Sequence, residues 1–281
     1  MSTRRDEMLK EMGLTPAWRL RARVDVGAQP EAPPASARAE PPAPVTARDP
    51  AEALAFTDAS DAAIESPFRS DPVAPAPAAD PDARRAAIFR MDWTALKETV
   101  ARCVDCVLHV KRNKTVFGVG DENADWMFIG EGPGADEDAQ GDPFVGQAGH
   151  LLDNMLAAID LARGRNVYIA NVVKCRPPGN RNPAPDEAKK CEAYLQRQIQ
   201  LIRPKLIIAL GRVAALNLLE REASIASLRG RVLDYKGTPL IVTYHPAYLL
   251  RTPADKARAW EDLCFAVKTM QSLVVQPAAQ N

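Results

Sequence analysis

Four cysteines, spaced Cys103-x-x-Cys106 and then Cys175 and Cys191, are the residues of this chain best suited to hold a metal. Four thiolates are the usual shell of a cubane iron–sulfur cluster or of a structural zinc, and the spacing admits either. The second pair encloses the Pro/Asn/Arg-rich stretch from Arg176 to Pro183. A metal there would tie two distant segments together and brace a loop carrying Lys174, Arg176 and Arg181, cations suited to a polyanion. Residues 163–212 hold eleven Lys and Arg against three Asp and Glu, a bias that a solvated helix face would also explain. The chain as a whole has a formal net charge of zero, so any polyanion site must be local.

Further segments carry groups that would meet a nucleobase. The run Gly130-Glu131-Gly132-Pro133-Gly134 lets the backbone turn sharply and approach a ligand closely. It is too acidic for a phosphate cradle and lacks the Lys-Ser/Thr of a P-loop. Phe144 falls in a loop, where it offers a flat face for stacking or serves as a core anchor. Asn171 interrupts an apolar run. Its carboxamide sets a donor beside an acceptor, matching a base edge, or else satisfies a neighbouring backbone group. His245 precedes a Pro-led turn, where imidazole would donate to a developing oxyanion. The following Leu249-Leu250-Arg251 sets apolar groups beside a cation, a pairing suited to wedging into a duplex.

Alternating short apolar runs and helical patterns position these groups. Strands are expected at Trp126–Ile129, Val167–Val172, Leu206–Leu210 and Leu240–Tyr244. Helices are expected at Asp92–Ala101, Gln147–Asp160, Asp186–Leu201, Val213–Glu220 and Ala254–Leu273. Near-continuous apolar strands in this alternation predict an α/β fold of three layers, with a central parallel sheet of about four strands between helices. Ligands gather at the carboxyl ends of such strands, where the candidate groups lie. The folded domain is expected over 86–275, with its first clear pattern near Met91, followed by a short tail over 276–281. Ahead of it, residues 28–84 contain twelve Pro and eighteen Ala, too little apolar bulk to offset chain entropy, so 28–85 reads as a disordered linker. Residues 1–27 read as a short helical segment, and the apolar groups within 5–23 suit either docking to an unknown protein partner or a frayed start with no partner. Five cysteines without a signal sequence imply a reducing, cytoplasmic setting, and no run is apolar enough to span a membrane. Cys264, the odd cysteine, reads as a buried free thiol.

Taken in order, the cysteine pairs, the glycine loop, Pro143-Phe144-Val145-Gly146-x-Ala148-Gly149, Asn171-Val172-Val173-Lys174-Cys175-Arg176-Pro177-Pro178 and His245-Pro246-x-Tyr248-Leu249-Leu250-Arg251 resemble the type-4, iron–sulfur branch of the uracil-DNA glycosylases. The resemblance covers roughly residues 91–275 and departs at Ala247, where serine is more frequent in that family. It implies that Cys103, Cys106, Cys175 and Cys191 hold a 4Fe-4S cluster. It implies that Phe144 stacks on a flipped uracil, that Asn171 reads the N3–H and O4 edge, and that His245 bonds O2. It places Glu131 where related enzymes keep a water-activating carboxylate, with Gly130 and Gly132 against the base. Lys174, Arg176, Arg181 and Arg251 would grip phosphates, and Leu249 or Leu250 would fill the gap left by the extruded base. The implied activity is hydrolysis of the N-glycosidic bond of uracil in single- or double-stranded DNA by a monomer, without strand cleavage, as the first step of base excision repair. A covalently trapping relative would carry an Arg-Arg-Ile-His insertion after the second strand, and this chain has none. A non-catalytic DNA- or RNA-binding module on the same scaffold would bind uracil DNA without releasing free base.

Overall fold

The computed structural model describes residues 81–275. The expected docking segment, most of the Pro/Ala-rich linker and the C-terminal tail lie outside the described residues. Helix α1 (Pro81–Arg90) begins inside the stretch read as linker, so its first five residues correct that boundary. Pro81 and Asp82 open it as proline and an acid open helices generally. Its Ile88 joins Leu96 and Val100 of α2 (Trp93–Arg102) in a small core against Ala193 and Tyr194. Arg84 pairs with Asp105 at 2.6 Å.

The sheet has six strands in the order β1-β3-β2-β4-β6-β5. Strands β2 (Trp126–Gly130), β3 (Val167–Asn171), β4 (Leu206–Leu210) and β6 (Thr238–Thr243) are the parallel centre. The short strands β1 (Val119–Gly120) and β5 (Leu233–Tyr235) add antiparallel edges, so the sheet is mixed where a purely parallel one was expected. Two or three residues are too few to print a period on the sequence.

Every residue of β2, β3 and β4 is buried, as befits strands covered on both faces. Alternate residues serve opposite cores. Met127, Ile129, Ile207 and Ala209 face α5 (Pro185–Ile202) and α6 (Arg212–Leu219). Trp126, Phe128, Leu206 and Ile208 face α4 (Gln147–Ala157) and α9 (Lys256–Val275). Helix α5 starts at Pro185, with Glu187 Oε2 accepting from the Ala184 N–H at 2.7 Å. It ends at Arg203, in the left-handed region ahead of Pro204. The remaining helices are α3 (Ala135–Gln140), α7 (Ile225–Leu228) and α8 (Pro246–Arg251). Among the described residues no helix is long and apolar enough to cross a membrane.

The register fixes where a ligand can bind. Gly130 stands opposite Asn171, and Leu210 opposite Thr243, so four strands end along one rim. A buried polar tie holds α9 to that rim. Asp262 accepts from Arg229 Nε at 2.6 Å and from Thr243 Oγ1 at 2.7 Å. Burial raises the Asp262 carboxyl above its ordinary range, partly offset by these two donors. Removing the carboxylate deprives the mostly buried Arg229 guanidinium of its closest anion, leaving it the Arg258 carbonyl at 2.6 Å and Glu261 at 3.9 Å, and deprives the buried Thr243 hydroxyl of its acceptor. Asp262→Ala should therefore lose about 3–5 kcal/mol of unfolding free energy, read by chemical denaturation. A loss below about 1 kcal/mol would show that the tie contributes little.

Candidate active site

A cleft of about 720 Å³ opens along this rim and is lined by Glu131, Gly132, Phe144, Asn171, Arg181, His245 and Arg251 among others. Seven of the residues expected to act thus share one surface. Gly130 lies just beneath it. A Cβ there would come within 2.5 Å of both Asn171 Oδ1 and Phe144 Cζ, so only glycine lets those two side chains meet over the strand end.

Phe144 takes a left-handed backbone (φ 56), uncommon for a bulky residue. Arg163 holds the turn, donating to the Pro143 carbonyl at 2.7 Å and to the Phe144 carbonyl at 2.8 Å while pairing with Asp153. A Cβ on Gly149 would overlap the Phe144 carbonyl oxygen, which explains glycine there. Glu137 ties this turn to the glycine loop. It accepts from Gly134 N–H at 3.0 Å, Val145 N–H at 3.0 Å and Gly146 N–H at 3.3 Å. Arg163 and Glu137 were not singled out from the sequence. The one signal there was for Glu137, an acid three residues into a helix after Gly134, a position that suits capping.

Asn171 is 2% exposed, and its Oδ1 is buried without a hydrogen-bond partner. An orphaned buried acceptor on a cleft wall is a place for a ligand donor. The ring of His245 lies 5.5 Å from that of Phe144, tilted by 31°. His245 caps α8, its Nδ1 accepting from the Ala247 N–H at 3.1 Å. That bond leaves the proton on Nε2. Surrounding protein, and secondarily Arg251, lower the imidazole to about 4, so it is neutral at physiological pH. Glu131 is half-buried, and burial alone raises its carboxyl.

The expected DNA contacts divide. Arg251 is exposed at the end of α8, and Arg181 lines the cleft while bonding Glu187 at 2.6 Å. Arg176 bonds Asn180 Oδ1 at 2.7 Å through Nε. Leu250 is 42% exposed, as a wedge requires. Two expectations are corrected. Leu249 is 1% exposed and packs with Leu151, Met155 and Leu263, because the single turns of α8 point it inward. Lys174 is also 1% exposed, with Nζ bonded to the Asn171 carbonyl at 2.9 Å and to Gln198 Oε1 at 2.6 Å, so it cannot reach a phosphate. Burial lowers it to about 8.

Cys103, Cys106, Cys175 and Cys191 line one small cavity, brought together by α2, the segment after β3, and α5. As placed, no group of three or more His, Cys, Asp or Glu among the described residues closes on a metal ion. The donor set nevertheless suits a thiolate-bound centre. The thiols are reduced, and burial raises Cys106 and Cys175 and pushes Cys191 up to about 12. Without a cation such sulfurs stay protonated and inert; a metal displaces the protons. Donors already face them. Arg112 Nη1 lies 3.1 Å from Cys175 Sγ, and the Lys174 N–H 3.3 Å from Cys191 Sγ. Hydrogen bonds to ligating sulfur tune such centres. Cys264 is only partly buried, its helix placing it at the margin of the core.

The family model for the uracil DNA glycosylase superfamily matches residues 117–264. A type-4 uracil-DNA glycosylase of Archaeoglobus fulgidus is 48% identical over 162 residues, covering 55% of this chain and 81% of that protein. The type-4 uracil-DNA glycosylase of Thermotoga maritima is 42% identical over 165 residues, covering 58% of this chain and 85% of that protein. One from Pyrobaculum aerophilum is 42% identical over 183 residues, covering 62% and 92%. With more than half its length matched by the family model, and with the rim geometry carried on the matched residues, this chain belongs to the uracil-DNA glycosylase superfamily, in its type-4 branch.

Proposed function

We propose that this chain removes uracil from DNA by hydrolysing the N-glycosidic bond, the opening step of base excision repair. The observation that carries the reading is the buried, unpartnered Oδ1 of Asn171 on the cleft wall. Uracil presents an N3–H that fits this acceptor and an O4 that fits the amide donor. Cytosine reverses both and is refused.

The base must leave the stack to reach this recess, at a cost of a few kcal/mol. Leu250, exposed beside Arg251, is the side chain that would fill the vacated space. Phe144 offers its ring face to the extruded base. As the glycosidic bond loosens, negative charge grows on the base, and the neutral His245 presents Nε2–H to O2. Glu131 orients the water that adds to the sugar. Among the described residues lining the cleft the cations are arginines, and no lysine is set to form a Schiff base, so the product keeps an intact strand. Arg181 and Arg251 would hold phosphates of single- or double-stranded substrate, and the enzyme acts as a monomer.

The four cysteines are the ligands we assign to a 4Fe-4S cluster, supported by their shared cavity and by Arg112 and the Lys174 N–H, which face two of their sulfurs. When bound, such a group supplies shape and charge, joining α2 to the loop after β3. Zinc is the alternative that the donor set also allows. The folded catalytic domain is taken as residues 81–275. Residues 5–23 remain the segment proposed for a protein partner.

Three measurements test this reading. Asn171→Asp replaces the amide donor by a second acceptor and should slow single-turnover release of uracil by at least about tenfold. An unchanged rate would remove Asn171 from base reading. Glu131 works deprotonated, and burial raises its pKa, so kcat should fall as pH drops through a value above that of an ordinary carboxylate. Glu131→Gln should lower the plateau by about a hundredfold or more and abolish that acid limb. Persistence of the limb would assign it elsewhere. Purified protein should be brown and hold iron and sulfide. Stoichiometric zinc without iron would replace the cluster assignment.

A further inference from the structure

We infer that Lys174 is a positioning residue that joins the cysteine-lined cavity to the base-reading end of β3, an inference that rests on the glycosylase reading above. One residue touches both places. Its Nζ donates to the Asn171 carbonyl at 2.9 Å, and its backbone N–H donates to Cys191 Sγ at 3.3 Å. The next residue in the chain is Cys175. Gln198 completes the ammonium's surroundings, with Oε1 at 2.6 Å and its own Nε2 bound to the Phe117 carbonyl at 3.0 Å.

Both of these acceptors are neutral. A fully buried cation with neutral partners alone is costly, so its balance comes from elsewhere. Cys175 is the next residue in the chain and Cys191 accepts from the Lys174 N–H, so the sulfurs near the lysine are those two. As thiols they bear no charge; as metal-bound thiolates they do. Four interior thiolates have the opposite excess; the Arg112 guanidinium faces Cys175 Sγ at 3.1 Å, and Lys174 meets Cys191 Sγ through its backbone N–H while its ammonium lies in the same buried region. Each excess offsets the other. The held carbonyl belongs to the residue whose carboxamide reads the base, and the next N–H is fixed to the Gly130 carbonyl at 2.9 Å. Clamping that peptide sets the carboxamide within the tight tolerance that a reacting complex demands. Lys174 touches no substrate, so it acts through Asn171.

The test uses the metal-loaded protein. Lys174→Met, normalised to folded, cluster-bearing molecules, should release uracil from a single-uracil oligonucleotide about tenfold more slowly in a single turnover. Its Kd for that DNA should stay within about threefold, since no phosphate contact is lost. The cluster's reduction potential should move to a more negative value, because loss of a neighbouring cation disfavours the added electron. A lower melting temperature, with rate and potential both unchanged per loaded molecule, would mean a purely structural lysine and would overturn the inference. Should Lys174→Met not fold, Gln198→Glu keeps the shape and supplies a competing anion. The same slow release, unchanged Kd and negative shift are expected; wild-type values would overturn it. Wild-type protein that released no uracil would instead sink the glycosylase reading, and the potential comparison would still decide whether Lys174 balances the thiolates.

Discussion

The site depends on a close approach of backbone to side chain at the end of β2. Gly130 lies opposite Asn171 in the parallel register, and the Phe144 ring folds over both. Any larger residue at Gly130 would push the carboxamide and the ring apart, and with them the slot that a flat base enters. The cost of the arrangement appears at Phe144, whose left-handed backbone is unfavourable for a bulky side chain. Arg163 anchors its carbonyl, Glu137 gathers the N–H groups that follow, and Gly149 leaves room for the turn. Arg163, Glu137 and Gly149 therefore define the shape of the recess.

Much of this was legible because the four central strands are parallel and buried. Runs such as Leu206–Leu210 have no polar face, and their ends are marked by glycine or by the polar residue that reaches the rim. β6 begins at Thr238, two residues earlier than its apolar run suggested, since Pro239 argues against a strand and pairs only with the short β5. The edge strands and α1 were missed for local reasons. The former are too short to show a period, and the latter hides in Pro/Ala composition until Ile88 gives it a face to bury. Side-chain direction just past a strand end was the least legible feature. Lys174 sits among basic residues in sequence, yet the chain turns it inward toward Gln198. Leu249 and Leu250 are adjacent, and only the rotation of one helical turn decides which is buried. Arg112, which faces Cys175 from sixty-three residues away, had no local signal.

Charge is distributed across the cleft in a way that separates gripping from reacting. The arginines lining the cleft are exposed, as the proposed phosphate contacts require, and Arg181 is partly neutralised by Glu187. The groups proposed to meet the base are uncharged: an amide, an aromatic face and an imidazole kept neutral by its surroundings. A neutral Nε2–H interacts modestly with the O2 of bound uracil and strongly with the oxygen once the base carries charge. Because only an interaction that grows along the reaction lowers the barrier, the role proposed for His245 rests on that growth, and the Ala247 N–H that occupies its Nδ1 keeps the proton on Nε2, the nitrogen left to donate.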